Sequence, residues 1–325
     1  MRYEFSFYKD EDFEEIEQLV LASYQWEYPI WGLSRHEFVR GLHPAFTGHY
    51  QAWYHTVGVY RENGKIAACL INEGNYDGEA FFLFDSKERG EDRELLRDMI
   101  KFAKTHAARV KEDGRTKSVK IYIPEWNTTL KEMAIKSGFE DTQWGQELYI
   151  LPFEGKPFDV KLPEGYIFAD GNAIPDFYLS NTHRLSFGYG GESRACEYGE
   201  QAFHDLRRMK HYRKDLDLCV LDEQKRPVAM AIIWYDEKMP YCELEPLGVV
   251  WWERRKGIAT AILHEAANRV QSMFSKCTGM LGGDQTFYQK IGYERKAIFP
   301  QYQWELEVII SWEKESYDKD YAKEV

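Results

Sequence analysis

Apolar positions follow two periods along the chain, and the switches between them mark its elements. Tyr3, Phe5 and Phe7 alternate with polar residues and predict a strand over 3–8. Residues 10–21 then carry the spacing of an amphipathic helix with acidic residues in its first turn. From 24 to 54 aromatics and histidines crowd together, among them Trp26, Tyr28, Trp31, His36, His43, His49 and Trp53, and no period survives. Packing in a core or between domains is the favoured reading of that stretch, with the lining of an acceptor pocket as the alternative. Two apolar runs within 57–72, joined by Asn63-Gly64, predict a tight hairpin. Next come a strand over 79–84, a helix over 92–108, a strand over 119–124, a helix over 127–139 closed by Gly138, and a strand over 147–151.

Residues 153–163, entered through Pro152 and carrying Gly155, Pro157 and Pro163, read as a linker. Beyond them the order begins again: a strand over 166–169, a helix over 174–185, a glycine-rich loop over 187–191, a helix over 202–211 and a hairpin over 218–234. A strand over 243–249, a helix, a strand over 278–281, a helix over 285–291 and strands through 301–310 complete it. Hairpin matches hairpin, Ile66 with Val228, and helix end matches helix end, Gly138 with Gly292. The chain therefore reads as an internal duplication of mixed α/β (α+β) class. Its expected domains are 1–152 and 164–312, each a mixed, mostly antiparallel sheet flanked by helices, with a charged tail over 313–325.

The second copy contains the chemistry. After the apolar run that ends at Val249 and Val250, the turn Arg254-Arg255-Lys256-Gly257-Ile258-Ala259 leads into a helix whose inward face repeats as Ile258, Ala261, Ile262 and Ala266. Small residues at Gly257 and Ala259 let backbone N–H groups at a helix start approach an anion, and three cations add charge of the right sign. The turn reads as a phosphate cradle.

Arg254, Gly257 and Ala259 also occupy the fixed positions of the acyl-CoA signature of the GNAT superfamily of N-acyltransferases, (Gln or Arg)-x-x-Gly-x-(Gly or Ala). Val249 stands where that family places a strand end, and Tyr288 to Tyr293 fits its aromatic-x-x-x-Gly-aromatic helix end. The chain thus resembles a GNAT protein from near Tyr166 to near Trp304, and its tandem arrangement is similar to that of mycothiol synthase. The resemblance implies transfer of an acyl group, most simply acetyl from acetyl-CoA (coenzyme A), to a primary amine by direct attack. It implies a cofactor site formed by Arg254, Arg255, Lys256, Gly257, Ile258, Ala259 and Thr260, with the main-chain amides of Leu247 and Val249 along the pantetheine arm. Tyr288 matches the family's general acid for the departing thiolate, and Glu243 lies at the spacing of its glutamate base.

Glu245 alternates with Glu243 and so shares its face of the strand. Either carboxylate, or water, can act as base, because burial beside apolar neighbours raises a carboxyl pKa toward a useful value. A structurally paired carboxylate is the alternative for both. His183, Tyr189 and Glu192 fall on the helix and loop where relatives build acceptor specificity.

The first copy differs at each of these points. Asp85 to Glu94 replaces the basic turn with a carboxylate-rich one that would repel a pyrophosphate, and the position of Tyr288 corresponds to Ala134. It reads as a degenerate GNAT-like copy that supports the second and walls one side of its acceptor pocket.

Composition narrows the partners. With 325 residues of which 44% are hydrophobic, the chain has enough apolar material for two cores. A net charge of -12 argues against general nucleic-acid affinity and is compatible with a cationic acceptor, a small-molecule or peptide amine. Cys69, Cys196, Cys219, Cys242 and Cys277 are scattered, with no histidine at metal-ligand spacing, so reduced thiols and no metal are expected. No apolar run reaches the ~20 residues of a membrane helix, and a cytoplasmic protein, monomer or homodimer, is the expectation. Two competing functions remain at this level: an acyl-CoA-binding sensor or scaffold without turnover, and an aminoacyltransferase of the peptidoglycan-bridge type.

Overall fold

The computed structural model describes residues 2–39, 50–74, 78–189 and 193–307. Strand β1 (Glu4–Phe7) pairs with β2 (Gly58–Glu62), which turns through Asn63 and Gly64, both at positive φ, into β3 (Lys65–Ile71) and then β4 (Glu79–Phe84). These four strands are antiparallel, but β4 runs parallel to β6 (Thr116–Tyr122), which a two-residue β5 (Arg109–Val110) flanks. Before β2 the chain forms α1 (Phe13–Ser23), α2 (33–39) and the short α3 (Tyr50–Tyr54). The crossover between the parallel strands is α4 (Arg93–Phe102), continued by a wider helical stretch over Ala103–Ala107. Next come α5 (Thr128–Lys136), capped by Asn127 Oδ1 accepting from Leu130 N–H, and the long β7 (Glu140–Pro152).

The second half repeats this order. Strands β8 (Ile167–Asp170), β9 (Asp217–Leu221), β10 (Pro227–Trp234) and β11 (Cys242–Val249) are antiparallel, and β11 runs parallel to β12 (Gly279–Gly282). Helices α6 (Asp176–Phe187) and α7 (Ser193–Leu206) precede β9; α8 (Ile258–Met273) is the crossover; α9 (Thr286–Lys290) leads to β13 (Glu294–Glu307). Helix α7 lies earlier than the expected 202–211, because i→i+3 bonds from Arg208 and Met209 tighten the chain into turns after Leu206.

The two sheets are continuous rather than separate. Strand β13, from the end of the second half, lies between β6 and β7 of the first half, in the order β1-β2-β3-β4-β6-β13-β7-β12-β11-β10-β9-β8. Its C-terminal part pairs Gln301 with Tyr122 and Glu307 with Thr116, while its N-terminal part pairs Glu294 with Ile150. In return β7 crosses to β12, pairing Pro152 with Gly279 and Tyr149 with Gly282. Each half thus supplies the strand that the other needs. Tyr302 on β13 accordingly sits in the core of the first half, 1% exposed, with Val119, Ile121 and Phe139.

Much of the aromatic stretch packs inward, Tyr24, Trp31 and Trp53 being buried, although part of it also lines a cavity described below. Among the described residues no helix is long and apolar enough to cross a membrane. Glu192, His43, His49 and the tail 313–325 lie outside the described residues.

Tyr302→Ala is expected to cost about 3–5 kcal/mol, as for other large aromatic truncations in cores. Hydrogen exchange should place the loosening in α4 and α5, a hundred and more residues away in sequence, rather than in α8. Loosening confined to the second half would contradict the exchanged strands.

Candidate active site

The parallel pairing of β11 with β12 is brief, Cys242 with Met280 and Glu243 with Leu281, and beyond Glu243 no described strand lies against that edge of β11. Val250 N–H donates to Val228 O at 3.0 Å, on the β10 side. Alternation along the strand therefore turns the N–H groups of Val249 and Leu247 away from β10, toward the gap. Past the strand a turn at Trp251–Glu253 delivers the chain to Gly257, the N-cap of α8. Gly257 adopts φ 82, a left-handed conformation that a side chain would strain. Arg255, two residues earlier, is also left-handed at φ 68.

No side chain caps α8, and its first backbone hydrogen bond runs from Ala261 N–H to Gly257 O. The N–H groups of Ile258, Ala259 and Thr260 precede that bond and have no acceptor among the described residues. The three cations before Gly257 are differently placed. Arg254 is a brace, donating to Val249 O and Ser186 O at 3.1 and 2.5 Å and so tying β11 to α6. Lys256 pairs with Glu253 at 2.9 Å, and Arg255 shows no partner among the described residues.

The equivalent helix of the first half has its amides filled. Asp92 caps α4, its Oδ1 accepting from Glu94 N–H at 3.0 Å and Leu95 N–H at 3.3 Å. Arg89, ahead of the cap, is consumed by Glu62, Asp85 and the Tyr3 hydroxyl. A carboxylate of the protein occupies in α4 the position that stays open in α8.

Beside the gap lies a cavity of about 520 Å³ with walls from both halves. The first half contributes Arg35 and Phe38 of α2, Glu73 and Gln146; the second contributes Glu243, Glu245 and Gly282. Glu243 and Glu245 do share one face, but their surroundings differ. Glu243 is 1% exposed, takes the Tyr24 hydroxyl on Oε1 and the Ser34 N–H on Oε2 at 2.7 Å, and so caps α2. Burial raises its pKa, opposed by Tyr24 and Ser34. Among the described residues Glu245 has no such partner on either oxygen, and its side chain is exposed to the solvent of the cavity. The surrounding cavity walls still push its carboxyl up to about 7 by desolvation, the Arg35 charge opposing and those of Glu73 and Glu243 adding. Arg35 itself is held by Glu73 at 2.7 Å and by Ile30 O. With Glu147, which Arg295 holds at 2.8 Å, the described lining holds four carboxylates and one guanidinium.

Tyr288 on α9 packs edge-on against Phe287 and Tyr293, next to Gly282 at the end of β12. Its phenol pKa is raised by burial and by the Glu245 charge, and eased by the N–H of Gly283, so it holds its proton at neutral pH; Tyr288 itself is not in the cavity lining, but Gly282, which it packs against, is. The counterpart Ala134 is wholly buried. His183 lies in an aromatic nest of Phe187, Tyr189 and Phe203, where burial lowers its pKa to about 4 and keeps it neutral. Tyr189 is 56% exposed. Arg35, Glu73 and Gln146 were not foreseen, since nothing in an aperiodic stretch, just past a hairpin or in the last strand of the first half marks a residue that faces the other half.

Solved structures share this architecture. A tandem GNAT protein from the clavulanic acid biosynthesis pathway aligns with a TM-score of 0.60 at 12% identity, over 93% of this chain and 98% of that one. A GCN5-related N-acetyltransferase from Sphaerobacter thermophilus aligns at 0.56 and 12% identity, over 94% and 96%. A glucosamine N-acetyltransferase region of a fungal multi-domain GH3 β-N-acetylglucosaminidase aligns at 0.52 and 14%, over 93% of this chain and 38% of that one. No family model and no curated protein matches the chain. The fold is therefore that of the tandem GNAT proteins, and at these identities the fold is what is shared.

Glu245 makes stability depend on pH. Its carboxyl titrates near 4.5 when unfolded and near 7 when folded, so between those values the folded chain holds a proton that the unfolded chain has released. Its contribution is complete below 4.5, is lost as pH rises through 7, and is level above. Glu245→Gln should match wild type in thermal melts at pH 4.5 and exceed it at pH 8; equal melting at both would show an ordinary solvated carboxylate.

Proposed function

We propose that this protein is an acyl-CoA-dependent N-acyltransferase, with acetyl-CoA the simplest donor and a cationic primary amine the acceptor. The observation that carries the reading is the uncapped start of α8, opening at the foot of a strand that has parted from its neighbour, where the first half fills the same amides with Asp92. Acyl-CoA would supply a thioester-activated acyl group. The N–H groups of Ile258, Ala259 and Thr260 suit its pyrophosphate, aided by the helix dipole and by Arg255, while Arg254 positions the turn. The N–H groups of Leu247 and Val249 suit the pantetheine arm and the developing oxyanion.

In this reading the cavity holds the amine. Glu245 takes one proton from the ammonium, which frees the nitrogen lone pair to form the C–N bond; the C–S bond breaks, Tyr288 gives its phenol proton to the thiolate, and the second proton shed by the nitrogen as the amide forms restores the phenol. A base near 7 and an acid that keeps its proton at neutral pH suit these tasks. Glu243, already occupied by Tyr24 and Ser34, holds α2 in place and is a positioning residue.

Isothermal titration with CoA tests the cradle. Gly257→Glu, which puts a side chain and a charge on the left-handed N-cap, should abolish binding in a protein that still folds; retained affinity would exclude the site. For turnover, Tyr288→Phe should lower kcat by roughly 10²–10⁴-fold on an amine panel with CoA affinity unchanged. Wild-type kcat/KM should fall below an apparent pKa near 7, and Glu245→Gln should lose that acid limb while Glu243→Gln keeps it. Tight CoA binding with no turnover on any amine would make the protein a CoA sensor instead.

A further inference from the structure

Glu17 on α1, Glu37 on α2 and His211 in the turns after α7 meet at a junction of the two halves. Both carboxylates are fully buried and the imidazole is nearly so. One ligand atom from each lies within 4.8 Å of the others. His211 Nδ1 is 2.7 Å from Glu37 Oε1 and 3.4 Å from Glu17 Oε2. Lys210 reaches Glu17 from solvent, but on the other oxygen, Oε1, at 2.8 Å. Glu17 Oε2 and Glu37 Oε2 receive no hydrogen bond, although buried carboxylate oxygens nearly always receive one. Two buried carboxylates thus crowd one ring nitrogen, and each still has an oxygen without a hydrogen bond.

The far side of the ring carries a second, independent feature. His211 Nε2 lies 3.3 Å from Asp236 Oδ2. With carboxylates on both nitrogens the ring keeps both protons at neutral pH against the cost of burial, and an ion must displace the one on Nδ1; a carboxylate on the far nitrogen then orients the ring as in metal-binding histidines.

We propose that Glu17, Glu37 and His211 Nδ1 bind one divalent transition-metal ion of the zinc class, with Asp236 as the orienting partner of the imidazole. One nitrogen and two carboxylate oxygens suit zinc-like ions better than the all-oxygen preference of magnesium or calcium. Ligand atoms of a tetrahedral zinc ion, bonded at about 2.0–2.2 Å, stand about 3.3 Å apart, and the two measured separations of 2.7 and 3.4 Å bracket that value. The ion replaces the Nδ1 proton, takes Glu37 Oε1 and the orphaned Glu17 Oε2 as ligands, and leaves Lys210 on Glu17 Oε1. It joins α1 and α2 of the first half to the second. Helix α2 turns Arg35 and Phe38 to the cavity while Glu37 is outside its lining, so the ion anchors that wall from behind. This inference does not depend on the acyltransferase reading.

The test uses the full chain, stripped with chelator and checked for native circular dichroism. Titration with Zn2+ against a chromophoric chelator should give one tight equivalent, and the melting temperature should rise with zinc. Co2+ in its place should show the visible absorption of a nitrogen- and oxygen-ligated tetrahedral ion. Glu37→Gln should abolish binding, and Asp236→Asn, which removes no ligand, should weaken it by roughly 10- to 100-fold. Should Glu37→Gln fail to fold, the partly exposed Asp236→Asn carries the comparison. Folded wild type that takes up no zinc, or uptake unchanged in the variants, would overturn the site and leave a proton-bridged ion cluster.

Discussion

Three backbone N–H groups at the start of α8 have no acceptor within the described protein, and most of what distinguishes the two halves follows from that. A helix start needs a partner for its amides, and proteins usually supply a side chain. In α4 Asp92 does so, and Tyr3, Arg2 and Arg89 gather around it into a closed network. In α8 a left-handed glycine takes the N-cap position and contributes nothing to those amides. The same topological position is thus self-satisfied in one copy and open to an external anion in the other.

The open end is useful only because of how the sheet is assembled. Strands β7 and β13 change places, so the halves are joined through main-chain ladders as well as side-chain packing. The cavity beside the parted strands consequently has walls from both halves, and α2 reaches across to meet β11 through Glu243. The first half provides the second sheet neighbour of β12 and half of the cavity.

Glu243 and Glu245 show how far environment divides two identical side chains. They are two residues apart, on one face of one strand, and both have raised pKa values because burial disfavours charge. Glu243 has a phenol and a backbone amide to hold, and its position is set by them. Glu245 meets only the field of Arg35, Glu73 and Glu243, which leaves its proton free to move near neutral pH.

From the sequence alone, the duplication, the element order and the glycine turn that opens α8 were legible, because each rests on local patterns: period, turn residues such as Asn63-Gly64, and small residues at a helix start. Tyr288 and Glu243 were named from the resemblance to the GNAT pattern, and Glu245 from its alternation with Glu243. Which glutamate is free, that Arg254 ties the turn to α6, and that each half borrows a strand were decided by contacts between residues far apart in sequence, Tyr24 with Glu243 above all. The same holds for Glu17, Glu37 and His211, whose spacing in the chain carries no ligand pattern and which only the packing of α1, α2 and the turns after α7 brings together. Local periodicity encodes elements; the position of one element against another is encoded in the whole core, and no stretch of sequence holds it.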